Sequence, residues 1–212
     1  MTLKKTLLAM AVTVATSTAA LADIKVGVSL ALTGPGSGLG IPMGNQLKLW
    51  PQTIAGEKVK LIILDDATDP TNGVKNARRF VTEDKVDLIL GSAATPVGIA
   101  MADVALESKT PQLLATPAQL PPGKDAWSFR LPQSNAVMSH AVVEHMKKQG
   151  VKTVGFLGYT DAYGEGWLKD FTPIAEKAGI KVIAAERFAR TDTSVTGDRK
   201  STRLNSSHIT IS

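Results

Sequence analysis

The chain has 212 residues, of which 43% are hydrophobic and 5% aromatic, and it contains no cysteine. This hydrophobic content is enough to build a buried core, and the lack of cysteine excludes disulfides, thiolate catalysis and cysteine-based metal sites. The formal net charge is +5, but four of these charges lie at the two ends, so residues 23–197 carry only +1. A nearly neutral body gives no electrostatic reason to expect nucleic acid or an anionic membrane as a partner.

Residues 1–22 have the three-part pattern of a secretory signal peptide. Two lysines form a positive start, an apolar stretch follows, and small residues stand at Ala20 and Ala22, the positions that a signal peptidase reads. The apolar stretch is much shorter than the ~20 residues that span a bilayer, which disfavours a membrane anchor. We therefore expect secretion, cleavage before Asp23, and no transmembrane span in the mature chain.

Six apolar, β-rich runs follow in chain order, and most of them stop at Gly, Asp or Thr-Pro. They are Ile24–Leu32, Val59–Leu64, Val86–Leu90, Gln112–Ala115, Val151–Leu157 and Ile180–Ala184. Nearly continuous apolar strands are expected in parallel sheets whose two faces are both covered.

Helical patterns lie between these runs. The helices are expected to begin at Asp69-Pro70, Thr95-Pro96 and Ser134, to run over Trp167–Ala178 with a kink near Pro173, and to form a shorter element over Met43–Trp50. Asp, Ser and Thr are good N-cap residues, and proline suits a first helical turn. The glycines at 150 and 179 are typical helix ends.

The alternation of strands and helices predicts a doubly wound α/β sheet with right-handed crossovers. Ligands bind such sheets beyond the carboxyl ends of the strands. This rule selects five segments, namely Thr33–Gly40, Asp65–Asp69, Gly91–Pro96, Thr116–Leu120 and Tyr159–Gly166.

The segment Gly91–Pro96 is the strongest candidate site on physical grounds. A strand ends there, small residues allow close approach, and a helix begins at Pro96. The free N–H groups of a first helical turn and its positive dipole end suit a carboxylate. The Thr95 hydroxyl is either a further donor to that ligand or simply the cap of the helix.

Other chemistry is disfavoured by spacing. The aspartates 65, 66 and 69 do not follow a calcium loop, and His140 and His145 are five residues apart rather than four. The glycines between 34 and 40 break the G-x-G-x-x-G dinucleotide pattern, and no G-x-S-x-G elbow is present. We therefore expect no metal, no cofactor and no catalytic residue.

Several motifs in order resemble the branched-chain amino-acid-binding (Leu/Ile/Val-type) family of periplasmic proteins, which serve ABC importers. They are VSLALTGPGSGLG at 28–40, DDATDP at 65–70, GSAATPVGIAMADVALESKTP at 91–111 and GYTDAYGEGW at 158–167. The resemblance covers about residues 23–197. It implies a type I periplasmic-binding fold of two doubly wound parallel-sheet lobes, with the ligand cleft between them.

The resemblance also implies a set of ligand-binding residues. Thr95 and the backbone of Ala118 match positions that hold the carboxylate of an amino acid. Leu39 matches a loop position that contacts the ligand side chain, and Tyr163 matches a tyrosine that closes over the ligand. The complete expected set is Leu39, Ala94, Thr95, Ala118, Gln119, Leu120 and Tyr163.

One position departs from the family. Relatives commonly carry serine or threonine where Leu120 stands, and that hydroxyl helps to hold the α-ammonium of the ligand. Leucine cannot do so, and the acidic ammonium partner of the family belongs to a later part of the second lobe. An aromatic or aliphatic carboxylate therefore stays open as the ligand, beside an amino acid.

The expected organisation is a signal peptide at 1–22, a first ligand-binding lobe at 23–132 and a partial second lobe at 133–197. From residue 198 the periodicity disappears and Ser, Thr and Asn dominate, so we interpret 198–212 as a non-native tail and the second lobe as truncated. On that interpretation this polypeptide folds poorly and binds weakly.

We expect a monomeric, periplasmic solute-binding component of an ABC importer, with a small carboxylate as ligand and a membrane permease as partner. A sensory or receptor module on the same fold is the alternative. A secreted α/β enzyme is disfavoured because no convincing nucleophile or acid–base pair stands out.

Overall fold

The computed structural model describes residues 23–192 and the backbone of Thr210 and Ile211. The expected signal peptide at 1–22 lies outside the described residues. So does most of the expected tail at 198–212.

Nine strands and five α-helices are described. The strands are β1 (Ile24–Leu30), β2 (Thr53–Ile54), β3 (Glu57–Asp65), β4 (Leu88–Gly91), β5 (Gln112–Leu114), β6 (Ser128–Arg130), β7 (Thr153–Tyr159), β8 (Lys181–Phe188) and β9 (Thr210–Ile211). The helices are α1 (Ser37–Leu47), α2 (Pro70–Arg79), α3 (Thr95–Ser108), α4 (Asn135–Lys148) and α5 (Ala162–Lys177), and a π-helical turn at Phe80–Asp84 follows α2.

The larger sheet has six strands in the order β2-β3-β1-β4-β5-β6. All of its pairings are parallel except the short hairpin of β2 with β3. The chain adds β3 on one side of β1 and β4 on the other, so the strand order reverses between β1 and β4. In open α/β sheets the crevice at such a reversal is the usual ligand position.

Both faces of this sheet are covered by apolar packing. Ile89 of β4 belongs to a cluster with residues of α2, α3 and the π-helical turn, including Phe80. Its neighbour Leu90 belongs to a second cluster with β1 and with Leu47 of α1. Successive residues of a strand point to opposite faces, so the two clusters lie on opposite sides, as the apolar runs predicted.

The smaller sheet has three strands in the order β8-β7-β9, and both of its pairings are parallel. Its core contains Val154 of β7, Val143 and Met146 of α4, and Phe171 and Ala175 of α5. The two sheets therefore have separate cores, which supports the predicted lobe boundary near residue 132. The boundary itself stays a prediction.

The predicted helix starts are confirmed at two of three positions. Asp69 caps α2, because its carboxylate accepts a hydrogen bond from the Asn72 N–H at 2.9 Å. Ser134 caps α4 by accepting from the Val137 N–H at 3.3 Å. The helix α3 begins at Thr95, however, and its N-cap residue is Ala94, with no side-chain cap.

The first helix differs from its prediction. We expected a loop over Thr33–Gly40 and a helix over Met43–Trp50, whereas α1 begins at Ser37 and ends at Leu47. Glycine and proline favour a loop by intrinsic propensity. Packing against the sheet overrides that propensity, because Gly40 lies directly on the backbone of Ala31 and Leu47 is buried in the core.

Three short strands were not predicted, and one of them, β9 (Thr210–Ile211), lies in the segment 198–212 that we interpreted as a non-native tail. The hairpin of β2 and β3 turns through Ala55 and Gly56, both with positive φ, whereas alanine is not a usual turn residue. The strand β6 has only three residues and follows a proline- and glycine-containing loop, so no periodicity marks it. The helix α5 runs through Pro173 to Lys177.

The close approach of α1 to β1 gives a test of the fold. A Cβ at Gly40 would overlap the carbonyl oxygen of Ala31, whereas a Cβ at Gly38 would meet nothing within 4 Å. We expect Gly40→Ala to destabilise the protein by about 1–3 kcal/mol through overpacking. The matched change Gly38→Ala should leave the free energy of unfolding nearly unchanged. Urea unfolding measures both, and equal effects would contradict the close packing.

Candidate functional site

A cleft with a volume of about 600 Å³ lies between the carboxyl ends of the two sheets. Residues that follow β1, β4 and β5 form one wall. Residues at the ends of β7 and β8 and in the first turns of α5 form the other wall. This is the position that the strand-end rule predicts for a ligand.

The wall from the larger sheet is small and mostly apolar. It includes Leu39 on the first turn of α1, Ala93 after β4, and Thr116 after β5. Leu39 is 54% exposed, so its side chain is free to contact a molecule in the cleft. Thr116 is buried, and its hydroxyl forms a short hydrogen bond with the hydroxyl of Thr95.

The opposite wall is aromatic. Tyr159, Tyr163, Trp167 and Phe188 all line the cleft. The rings of Tyr159 and Phe188 have centroids 4.8 Å apart, and those of Tyr159 and Tyr163 are 6.5 Å apart. Such a wall offers a large apolar surface and π faces to a ligand, together with phenolic hydroxyls for hydrogen bonding.

Arg190 is the one charged side chain among the described residues that line the cleft. The guanidinium carbon lies 4.0 Å from the centroid of the Tyr159 ring and 5.8 Å from that of Tyr163. Its Nε donates to Oδ2 of Asp161 at 2.5 Å, and only 15% of its side chain is exposed. The stacking and the ion pair together hold the guanidinium in one orientation.

Asp161 connects this arginine to the helix behind it. Its Oδ1 accepts hydrogen bonds from the N–H groups of Tyr163 at 2.9 Å and Gly164 at 3.3 Å, so it is the N-cap of α5. One carboxylate thus fixes both the start of α5 and the position of Arg190. The cap and the aromatic wall are parts of one structure.

A model of the periplasmic binding protein family matches residues 23–197 of the chain. The chain belongs to the periplasmic binding protein family. Its relatives include binding proteins of the branched-chain amino-acid type, and its fold is the type I periplasmic-binding fold. The family resemblance and the fold class predicted above are confirmed.

The chain is similar to an extracellular ligand-binding receptor from Rhodopseudomonas palustris, with 45% identity and a TM-score of 0.82 over 84% of this chain and 50% of that one. It is 32% identical to the Leu/Ile/Val-binding protein homolog 3 of Brucella melitensis, over 61% of this chain and 36% of that protein. A solute binding protein of an ABC transporter from Rhodopseudomonas palustris BisB5, in complex with 3,4-dihydroxy benzoic acid, has 26% identity and a TM-score of 0.71, over 79% of this chain and 47% of that one. The chain thus spans about a third to a half of the length of these relatives.

A smaller cavity of about 160 Å³ adjoins the cleft of this periplasmic binding protein. Thr95, Ala118 and Gln119 line it from one side, and Tyr163 and Pro117 line both spaces. The side-chain amide of Gln119 donates to the Asp170 carboxylate of α5 at 2.8 Å, which links the two halves of the site.

The predicted site residues are thus divided between the two spaces. Leu39 and Tyr163 lie at the cleft, and Thr95, Ala118, Gln119 and again Tyr163 line the smaller cavity. In the part of the chain that the structure describes, Ala94 and Leu120 line neither space. Ala94 is only 2% exposed and packs in the core, because the start of α3 is buried.

Of the two alternatives for Thr95, the helix cap is wrong and the ligand donor stays a prediction. Its hydroxyl does not cap α3, and the residue is only 3% exposed. The hydroxyl bonds instead to Thr116, which ties the start of α3 to the loop after β5. The first turn of α3 is therefore less open to a ligand than the sequence led us to expect.

The segment Asp65–Asp69 supports the cleft rather than lining it. Oδ1 of Asp65 accepts hydrogen bonds from the N–H groups of Leu32 at 2.9 Å, Thr33 at 3.2 Å and Ala67 at 2.8 Å. Burial raises the pKa of Asp65, but the hydrogen bonds from Thr33, Ala67 and Leu32 outweigh it and hold the pKa below its ordinary value. The segment thereby shapes the loop that leads to Leu39.

Asp66 is fully buried beside it. Its carboxylate accepts from the Ser29 hydroxyl and the Thr68 N–H, both at 3.0 Å. Burial raises the pKa of Asp66 above its ordinary value, although hydrogen bonds from Ser92, Thr68 and Ser29 oppose the rise. Two adjacent aspartates thus have pKa values that are shifted in opposite directions.

Sequence reasoning missed much of the aromatic wall and its arginine. Trp167 stands at the start of the helix predicted at Trp167–Ala178, and its side chain lines the cleft, whereas Phe171 of the same helix is buried. Arg190 lies after β8, outside the five segments that we selected at strand ends. The strand-end rule could have found it, because that rule applies to β8 as it does to the other strands.

The sequence led us to expect no metal site and no transmembrane span. Among residues 23–192, no group of three or more His, Asp or Glu side chains is arranged to hold a metal ion. None of the described helices is both long and apolar enough to cross a membrane.

The adjacent aspartates give a pH test. The lowered pKa of Asp65 stabilises the folded state above the ordinary aspartate pKa of about 4, and this contribution is lost as the pH falls through the folded-state value. The raised pKa of Asp66 has the opposite effect. It stabilises the folded state fully below about pH 4, and this stabilisation is lost as the pH rises through the folded-state pKa of Asp66. The difference in free energy of unfolding between the wild type and Asp65→Asn should therefore grow in favour of the wild type as the pH rises. The corresponding difference between the wild type and Asp66→Asn should shrink.

Urea unfolding of the wild type and both variants between about pH 3 and pH 7 measures these slopes. Each variant serves as the control for the other, because the two positions are adjacent. Parallel slopes for the two variants would contradict the environments described above.

Proposed function

We propose that this periplasmic binding protein captures a small organic carboxylate between two lobes and delivers it to the membrane permease of an ABC importer. The observation that supports it best is the cleft between the carboxyl ends of two separate parallel sheets. We propose the lobes at 23–132 and 133–197, in accord with their separate cores. Binding that bridges the two lobes shifts a hinge equilibrium toward a closed form, and the permease recognises that form.

The lining favours an aromatic acid as the ligand. Tyr159, Tyr163, Trp167 and Phe188 give an apolar wall, and the described lining residues include no carboxylate that could pair with an ammonium group. The relative with 26% identity is in complex with 3,4-dihydroxy benzoic acid, an aromatic carboxylate. A molecule of that size fits a cleft of about 600 Å³.

A branched-chain amino acid is the second candidate. It is supported by the names of two relatives, a Leu/Ile/Val-binding protein homolog and an amino acid binding protein from Pseudomonas aeruginosa. It needs an acceptor for the α-ammonium, which Leu120 does not provide.

A sensory or receptor module would use the same cleft, and the relative from Rhodopseudomonas palustris is described as an extracellular ligand-binding receptor. The two roles differ in the partner that reads the closed form. The family consists of binding proteins rather than enzymes.

Closure has a candidate contact within the described residues. The Gln119–Asp170 hydrogen bond joins the loop after β5 to α5, and Tyr163 lies between the cleft and the smaller cavity. Each group belongs to a different proposed lobe, so the bond forms only when the lobes are close.

A panel of ligands tests the proposed function. Benzoate, 4-hydroxybenzoate, L-leucine and NAD are added in turn to the purified chain, and the thermal midpoint of unfolding is followed. We expect the aromatic acids to raise the midpoint, because a ligand that binds only the folded state stabilises it by mass action. NAD should have no effect. Stabilisation by L-leucine alone would select the second candidate, and stabilisation by none of the carboxylates in a chain that unfolds cooperatively would refute the proposal.

Trp167 provides an independent optical test. It is one of three tryptophans, and of these only Trp167 lines the cleft in the described structure. A bound aromatic acid should change the tryptophan fluorescence of the wild type. The change should disappear in Trp167→Phe and persist in the matched variant Trp50→Phe. A change that persists in Trp167→Phe would place the ligand elsewhere.

A further inference from the structure

We infer that Arg190 is the anchor of the ligand carboxylate and the residue that selects an anionic ligand over a neutral one of the same shape. This inference rests on the proposed function and assigns its ligand recognition to the aromatic wall. It differs from the sequence-based expectation, which placed the carboxylate at the first turn of α3.

The guanidinium has one occupied edge and one open edge. Asp161 takes the Nε–H, and the Tyr159 ring covers one face at 4.0 Å. Within residues 23–192 the Nη1 and Nη2 groups of Arg190 have no hydrogen-bond partner, although the side chain is only 15% exposed and lines the cleft. Two parallel N–H groups match the two oxygens of a carboxylate.

The ion pair with Asp161 leaves the arginine able to attract an anion. Oδ1 of Asp161 already accepts two N–H groups at the start of α5, where the helix dipole also favours negative charge. The helix therefore balances part of the negative charge of Asp161. The ion pair fixes the orientation of the Arg190 guanidinium before a ligand arrives, which reduces the entropy cost of binding.

The alternative anchor at α3 is less accessible. Ala94 and Thr95 are both buried, the residue at the second helical position is proline and has no N–H, and the Thr95 hydroxyl is bonded to Thr116. No other charged side chain lines the cleft in the described part of the chain. Arg190 is therefore the group best placed to determine the sign of the ligand charge.

The neighbours of Arg190 define the rest of the ligand. Phe188, Tyr163 and Trp167 surround the same space with rings, so a planar apolar body can lie against them while its carboxylate meets the guanidinium. The ligand class is an aromatic monocarboxylate without an ammonium group.

Benzoate and benzamide form a matched pair of probes, because they share size and shape and differ in charge. Their affinities for the purified 212-residue chain are measured by calorimetry for the wild type, Arg190→Gln, Arg190→Lys and Arg187→Gln. Arg187 is a suitable control because it pairs with Glu165 on the surface and does not line the cleft in the described structure. Far-UV circular dichroism verifies the folding of each variant.

We expect the wild type to prefer benzoate to benzamide. Arg190→Gln should lose about tenfold to hundredfold in benzoate affinity, the range for a lost charge-assisted hydrogen bond, and benzamide binding should change little. The benzoate affinity of Arg190→Lys should lie between those of the wild type and Arg190→Gln, because lysine keeps the charge but lacks the planar guanidinium group. Arg187→Gln should bind both probes as the wild type does.

Two outcomes separate this inference from the proposed function. If the wild type prefers benzoate and Arg190→Gln keeps that preference, or loses both probes equally, Arg190 is not the anchor and the proposed function stands. If the wild type binds neither benzoate nor 4-hydroxybenzoate nor L-leucine, both fail.

Discussion

Parallel pairing is the constraint from which the site follows. Four of the five pairings in the larger sheet and both pairings in the smaller sheet are parallel. Parallel strands need crossover connections, and these bring every strand-to-helix turn to the same edge of a sheet. The two edges meet in this protein, so loops that are far apart in sequence form one cleft. The side chains on these turns then determine the chemistry of the cleft.

The two walls contribute different kinds of side chain to the cleft. The wall of the larger sheet consists of small and buried groups, such as Ala93 and the Thr116 hydroxyl, which shape the space. The wall of the smaller sheet carries the rings and the charge, and Asp161 organises it through the cap of α5. A ligand held by both walls connects them, which is the requirement for a ligand-driven closure.

The alternation of strands and helices along the chain, the main helices and the strand-end location of the cleft could be predicted from the sequence, because apolar runs and N-cap residues are local signals. The start of α1 could not, since it depends on the contact of Gly40 with Ala31. The burial of Ala94 and the bond of Thr95 to Thr116 also depend on tertiary packing. Arg190 was missed because the strand-end rule was not applied to β8, and only the fold shows that its neighbours are aromatic.

The cleft and the smaller cavity share two lining residues, Pro117 and Tyr163. Pro117 has a rigid ring, whereas the Tyr163 side chain can change rotamer about its Cα–Cβ bond. A change of the Tyr163 rotamer would therefore reshape both spaces at once.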